Sequence, residues 1–204
     1  MTPLVRLSSR AAWLDEDNVD TDAILPARFL LLFEKSQFGR HLFHDRRHGP
    51  DGAPRPGFPL DRPDRAGAEI LLGRHNFGCG SSREHAVWAL AGHGIRCVIA
   101  ISFGDIFRTN CIKNGLLPVT IPARDHPALL AAAERGEIFD VDLRAGRLRA
   151  AGRDWPVELS REDRESLLNG WDEVERIVHL HGADITAFEA AHRAAQPWLF
   201  ADDR

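Results

Sequence analysis

Between residues 70 and 135 the chain alternates between two hydrophobic periods, and this alternation leaves few folds open to it. Ile70–Leu72 is an unbroken apolar run, the pattern of a strand buried on both faces. Residues 82–94 then carry Ala86, Val87, Ala89, Leu90 and Ala91 on one helical face and close on Gly94. Residues 97–101 and 117–121 predict two more buried strands. A short helix over 105–114 lies between them, and an alanine-faced helix over 125–135 follows. Strand, helix, strand in this order predicts parallel strands with right-handed crossovers: an α/β fold with a largely parallel sheet core and flanking helices.

The flanks differ in texture. Residues 138–143, Arg147–Ala150 and 155–159 predict short strands, with turns at Ala145-Gly146 and Ala151-Gly152. Helices over 161–168, 171–178 and 183–195 complete a small C-terminal hairpin and helical region. Residues 1–45 are mixed, with an acidic turn-rich stretch, residues 15–22, leading into Ala23-Ile24-Leu25-Pro26-Ala27-Arg28. Residues 44–67 contain Pro50, Pro54, Pro56, Pro59 and Pro63 and predict a long surface excursion. At roughly 150 residues per domain, residues 1–204 are expected to form a single domain around that excursion.

Composition narrows the partners. A net charge of −4 excludes a nucleic-acid binder that relies on a basic footprint. All but two of the 26 basic residues are arginine, the exceptions being Lys35 and Lys113. Arginine grips carboxylates with two parallel hydrogen bonds and keeps its charge when buried, but a genome-wide coding bias is the first reading of such a count. Cys79, Cys97 and Cys111 are widely spaced, with no C-x-x-C pair, which predicts reduced thiols and no metal site in this chain. The absence of a signal-peptide pattern and of an apolar run near ~18 residues predicts a cytoplasmic, membrane-free protein.

The special residues concentrate in Asn76-Phe77-Gly78-Cys79-Gly80-Ser81-Ser82-Arg83-Glu84-His85, where the first predicted strand turns into the first helix. Gly78 and Gly80 permit backbone conformations closed to other residues and let a ligand approach the main chain. Ser81 or Ser82 is placed to cap the helix. The free N–H groups there, the helix dipole and Arg83 together predict an anion cradle. A dinucleotide fingerprint fails at Arg83, a Walker loop lacks its G-K-[ST], and no G-x-S-x-G frame surrounds Ser81. A small carboxylate fits two hydroxyls and one guanidinium better than a nucleotide does. Ordinary capping, with Arg83 in solvent, is the alternative. Asp20 and Asp22 read either as a pair of hard oxygen ligands or as turn residues, and Ala23-Ile24-Leu25-Pro26 supplies no further ligand.

Residues 76–86 resemble the signature of the small subunit of 3-isopropylmalate dehydratase, which corresponds to the swivelling domain of the aconitase family. Residues 18–28 and 102–118 match in order and spacing, as does Leu168-Asn169-Gly170-Trp171-Asp172. The resemblance spans nearly the whole chain and implies a swivelling β/β/α domain. It also implies a hydro-lyase of leucine biosynthesis that interconverts 2- and 3-isopropylmalate by dehydration and rehydration. Such an enzyme acts only with a large subunit, which bears a [4Fe-4S] cluster serving as Lewis acid. On this resemblance Ser81 is the base, while Ser82, Arg83 and Arg28 bind substrate. Asp22, Thr21, Gly78 and Gly80 support the site.

The chain departs from the family at Leu30-Leu31-Leu32-Phe33-Glu34, apolar where basic residues are usual, at residues 43–48, and at Ile101 in place of a proline. An apolar loop suits an isopropyl group, and it equally suits a paralogue acting on a methyl-substituted malate or maleate. A carboxylate-binding module without catalysis and a thiol enzyme using Cys79 are the other readings. Arg108, Asn110 and Lys113 are expected to be structural.

Overall fold

The computed structural model describes residues 1–32 and 34–200. In chain order the regular elements are β1 (Arg6–Trp13), α1 (Thr21–Ile24), α2 (His44–Arg47), β2 (Ile70–Leu72), α3 (Glu84–His93), β3 (Cys97–Ala100) and α4 (Asp105–Lys113). There follow β4 (Leu117–Thr120), α5 (His126–Glu134), β5 (Ile138–Asp142), β6 (Arg147–Ala150), β7 (Arg153–Pro156), α6 (Arg161–Asn169) and α7 (Glu173–Ala195). The strands form one sheet in the order β4-β3-β2-β1-β5-β6-β7. The β1, β2, β3 and β4 neighbours pair in parallel, in a register that aligns Ala11, Ile70, Cys97 and Leu117. The remaining pairs are antiparallel.

Successive strand residues point to opposite faces, and each face carries its own core. Ala11, Ile70, Leu72, Ile99 and Val119 pack with Leu129, Ala132 and Ala133 of α5 and with Phe139 and Trp155. Ala12, Leu71, Val98 and Ala100 pack with Ala86, Val87 and Leu90 of α3, Phe107 and Cys111 of α4, and Phe38 and Phe43. Burial on both faces explains the uninterrupted apolar runs of β2 and β3.

The predicted strand and helix alternation from β2 to α5 is present, and α3 ends on Gly94 at φ 106°. Three features differ from expectation. The mixed N-terminal stretch contains β1, the central strand. Its alternation of buried Leu7, Ser9 and Ala11 with exposed Arg6, Ser8 and Arg10 is carried by small and polar residues, so it barely registers as hydrophobic. The last strand runs over Arg153–Pro156 rather than 155–159. The helices expected at 171–178 and 183–195 are one 23-residue helix, because Gly182 does not break it.

The 44–67 excursion is pinned to the body. Leu60 is buried, and Arg65 is buried with Nη2 donating to Ala133 O (2.6 Å) and Glu134 O (3.0 Å) at the end of α5. Among the described residues no helix is long and apolar enough to cross a membrane. Phe33, part of the expected departure at 30–34, and the tail beyond residue 200 lie outside the described residues.

Candidate active site

The three motif blocks meet beyond the carboxyl ends of β1, β2 and β3, where open parallel sheets place their ligands. The chain leaving β1 runs beside the chain leaving β2. Gly78 N–H donates to Val19 O (2.7 Å), Thr21 N–H donates to Cys79 O (2.9 Å), and Asn76 Nδ2 donates to Asn18 Oδ1 (2.8 Å). The chain leaving β3 joins the other side: Asn76 N–H donates to Ser102 Oγ (2.8 Å), Phe77 N–H to Ser102 O (3.0 Å) and Gly104 N–H to Phe77 O (2.9 Å).

This lacing depends on two glycines. A Cβ on Gly78, at φ +74°, would lie 2.1 Å from the Phe107 ring. Gly80, at φ +89°, lies against Asp20 and Thr21, with 3.5 Å to the nearest atom. Gly78 is thus held by sterics and conformation together, Gly80 chiefly by conformation.

The loop presents Ser81 and Ser82 to solvent. The Ser81 carbonyl is fixed twice, by Thr21 Oγ1 (3.0 Å) and by the Arg83 N–H (2.8 Å). Among the described residues neither serine hydroxyl has a hydrogen-bond partner. The expected capping role is corrected here: the N-cap of α3 is Arg83, in extended conformation, and no side chain caps the helix. Neither serine hydroxyl therefore satisfies the N–H groups of the helix's first turn. Arg83 Nη1 pairs with Asp22, and its side chain is 20% exposed. Asp20 caps α1 by accepting from Ala23 N–H (2.6 Å), which supports the turn reading of the acidic pair.

The hydrogen bonds and ion pair of Arg28 go to residues outside the 76–86 loop. Arg28 pairs with Asp45 and its Nη2 lies 3.1 Å from His44 Nδ1, in a cavity of about 470 Å³ shared with His48 and Arg55. Asp45 holds the Arg28 guanidinium above its ordinary range, and Arg28 holds the Asp45 carboxyl below its own. Sequence reasoning missed Glu84 and Asn114. Asn114 Nδ2 donates to Glu84 Oε1 (2.7 Å), and Asn114 Oδ1 accepts from Trp88 Nε1 (2.9 Å), tying the start of α3 to the end of α4. Their 30-residue separation gives no local signal.

The three cysteines are free thiols. Partial burial, and then the Asp20 carboxylate, push the Cys79 thiol up, away from the thiolate that attack requires. Cys97 and Cys111 are buried in the two cores with their thiols pushed up by desolvation. Among the described residues no group of three or more His, Cys, Asp or Glu side chains is placed to hold a metal ion.

Comparison with known proteins agrees with the geometry. The Aconitase C-terminal domain family matches residues 1–124. The family formed by the C-terminal domain of the 3-isopropylmalate dehydratase small subunit matches residues 180–202. A 3-isopropylmalate dehydratase small subunit of Dechloromonas aromatica is 44% identical over 212 residues, covering 98% of this chain and all of the relative. One from Rhodospirillum centenum is 47% identical over 195 residues, covering 94% and 96%. A crystal structure of 3-isopropylmalate dehydratase from Methanocaldococcus jannaschii superposes with a TM-score of 0.64 at 26% identity, covering 91% of this chain and 99% of the other. The glycine-laced loop, the seven-stranded sheet and these relatives place the chain in the 3-isopropylmalate dehydratase small-subunit family, hydro-lyases of the aconitase family.

Proposed function

We propose that this chain supplies the base-bearing half of an active site that interconverts 2- and 3-isopropylmalate for leucine biosynthesis in the cytoplasm. The other half belongs to a large subunit. The observation that carries the reading is Ser81: its carbonyl is pinned by two donors, while its hydroxyl is exposed beside the uncapped start of α3 and beside Arg83.

In this reading Ser81 Oγ, as the alkoxide, takes the proton from the carbon next to a substrate carboxylate. Hydroxide leaves the adjacent carbon, a double bond forms between the two, and re-addition of water with the positions exchanged completes the isomerisation. A [4Fe-4S] cluster on the large subunit supplies the Lewis acid for the departing hydroxyl. A free serine is far too weak an acid for the base role, so the first N–H groups of α3 and the guanidinium must favour the anion. Ser82 and Arg83 hold a carboxylate, and Asp22 fixes the fork of Arg83 until substrate arrives. Thr21 sets the position of Ser81, and Gly78 and Gly80 allow the turn. Arg28 belongs to substrate only if it leaves Asp45, which makes it the weakest member of the set. Leu31, 83% exposed, offers apolar surface of the kind an isopropyl group seeks.

Reconstitution with the large subunit under anaerobic conditions tests the reading against a panel of alkyl malates and maleates. Isopropylmalate is expected to show the highest kcat/KM, and a higher value for a methyl-substituted diacid would replace the substrate. Ser81→Ala is expected to lower kcat by at least about 10³-fold while the two chains still associate. Retained turnover in that variant would remove Ser81 from the base role.

A further inference from the structure

The last long helix has no buried residue. α7 runs 23 residues, about 34 Å at ~1.5 Å per residue, yet none of its side chains is buried. It is attached at its start: Glu173 pairs with Lys113 (3.2 Å), and Asp172 and Glu175 form a reciprocal capping box. Beyond that it carries Val174, Ile177, Val178, Ile185 and Phe188 at helical spacing, a single apolar stripe interrupted by His181. Val174 is 69% and Phe188 66% exposed, and Trp198 and Leu199 extend the apolar surface past the helix end. A helix held only by its own hydrogen bonds is marginal in water, and contiguous exposed apolar area of this kind marks an interface.

The charges along the stripe choose the occupant. Asp184 borders one side and Glu189 the other, while Glu173 and Glu175 at the helix start are paired with Lys113 and with the Met1 ammonium of this same chain. Arg176 lies on the opposite face, and Arg193 stacks over Phe200 at 4.6 Å. A second copy of this chain would bring the same acid-bordered stripe, like charge against like. A groove bordered by lysine or arginine is complementary. The family matches point the same way. The aconitase C-terminal domain family matches residues 1–124, whereas residues 180–202, which hold the stripe's second half, match the C-terminal domain of 3-isopropylmalate dehydratase small subunits.

We propose that the apolar stripe of α7 is the surface by which this chain docks on its large subunit, in an apolar groove rimmed by basic residues. The proposal rests on the two-subunit reading above and adds the surface that joins the halves.

Sedimentation of the full chain with its large subunit tests it. Val178→Asp combined with Phe188→Asp is expected to weaken association at least tenfold, and Ala190→Glu on the opposite face to leave it unchanged. Circular dichroism of the free chain checks that α7 stays helical. Should the apolar variant lose its helix, Asp184→Lys combined with Glu189→Lys serves instead, and the same tenfold weakening is expected from repulsion at the basic rim. Wild-type affinity in a folded stripe variant would overturn the proposal. So would a concentration-dependent homodimer of the free chain that the stripe variant abolishes. Excess large subunit should restore turnover to the stripe variant, since Ser81 is untouched. Failure of the wild-type complex to turn over isopropylmalate would sink the substrate reading while leaving the sedimentation result standing.

Discussion

For the proposed chemistry, Arg83 must exchange one carboxylate for another. In the free chain its Nη1 is paired with Asp22, so a substrate carboxylate gripped at two points has to compete with that ion pair rather than with water alone. Lysine at this position keeps the charge but loses the planar two-point grip. Arg83→Lys is therefore expected to raise KM and lower kcat together. A drop in kcat/KM of at least about tenfold, ~1.4 kcal/mol of transition-state binding, is anticipated from steady-state kinetics of the reconstituted complex. A rise in KM alone would mean that Arg83 holds substrate and transition state equally. The residues of this loop were legible because glycines, serines and an arginine at such spacing have few uses. Their exact arrangement was not. Ser81 and Ser82 read as caps in one dimension, but the lacing to Thr21 and Cys79 pulls the loop out of capping position, and Arg83 takes the N-cap. Partners from 60 residues away decide the outcome.

At the scale of elements, legibility followed burial. Strands covered on both faces, β2 and β3, announce themselves as apolar runs. β1 lies at the centre of the same sheet, but its first half leaves one face in solvent, so Arg6, Ser8 and Arg10 alternate with buried Leu7, Ser9 and Ala11 and no apolar run forms. The excursion over 44–67 shows the reverse error: turn-rich composition hides an anchor. Arg65 inserts its guanidinium between Trp13, 5.0 Å from the ring centroid, and the terminal carbonyls of α5, where the helix dipole favours a cation. Arg65→Ala leaves the buried Ala133 carbonyl and the part-buried Glu134 carbonyl without that donor and opens a gap beside Trp13. A loss of about 2–4 kcal/mol is expected in urea unfolding, read as a lower midpoint at unchanged slope. Arg65→Lys should recover part of it. An unchanged midpoint in the alanine variant would show that the excursion hangs free of α5.

Across the whole molecule the two halves of the sheet are tied at their far ends as well as at β1. The loop after β4 sends Asp125 to β7: Oδ2 accepts from Trp155 Nε1 at 3.0 Å, and Oδ1 pairs with Arg153 at 3.0 Å. β4 and β7, opposite edges of the strand order, are thereby joined through one carboxylate that is itself buried. The Trp155 N–H first, and then Arg153, hold the Asp125 carboxyl below the usual carboxylate range. A folded pKa below the unfolded value of about 3.9 means that stability from this group is fully present above that value. It is lost as pH falls through the folded pKa, because the proton then binds the unfolded chain more tightly. Asp17, Asp45, Asp64, Asp140 and Asp154 are depressed in the same sense, so the wild-type chain as a whole should lose stability in acid. The share of Asp125 is isolated by Asp125→Asn. Its Tm is expected to lie below that of the wild type at neutral pH, with the gap narrowing as pH drops from about 5 toward 2, since protonation does to the wild type what the substitution has already done. A gap that stayed constant across that range would mean that the tie between β4 and β7 owes nothing to the charge on Asp125, and that the Trp155 hydrogen bond alone closes the sheet's ends.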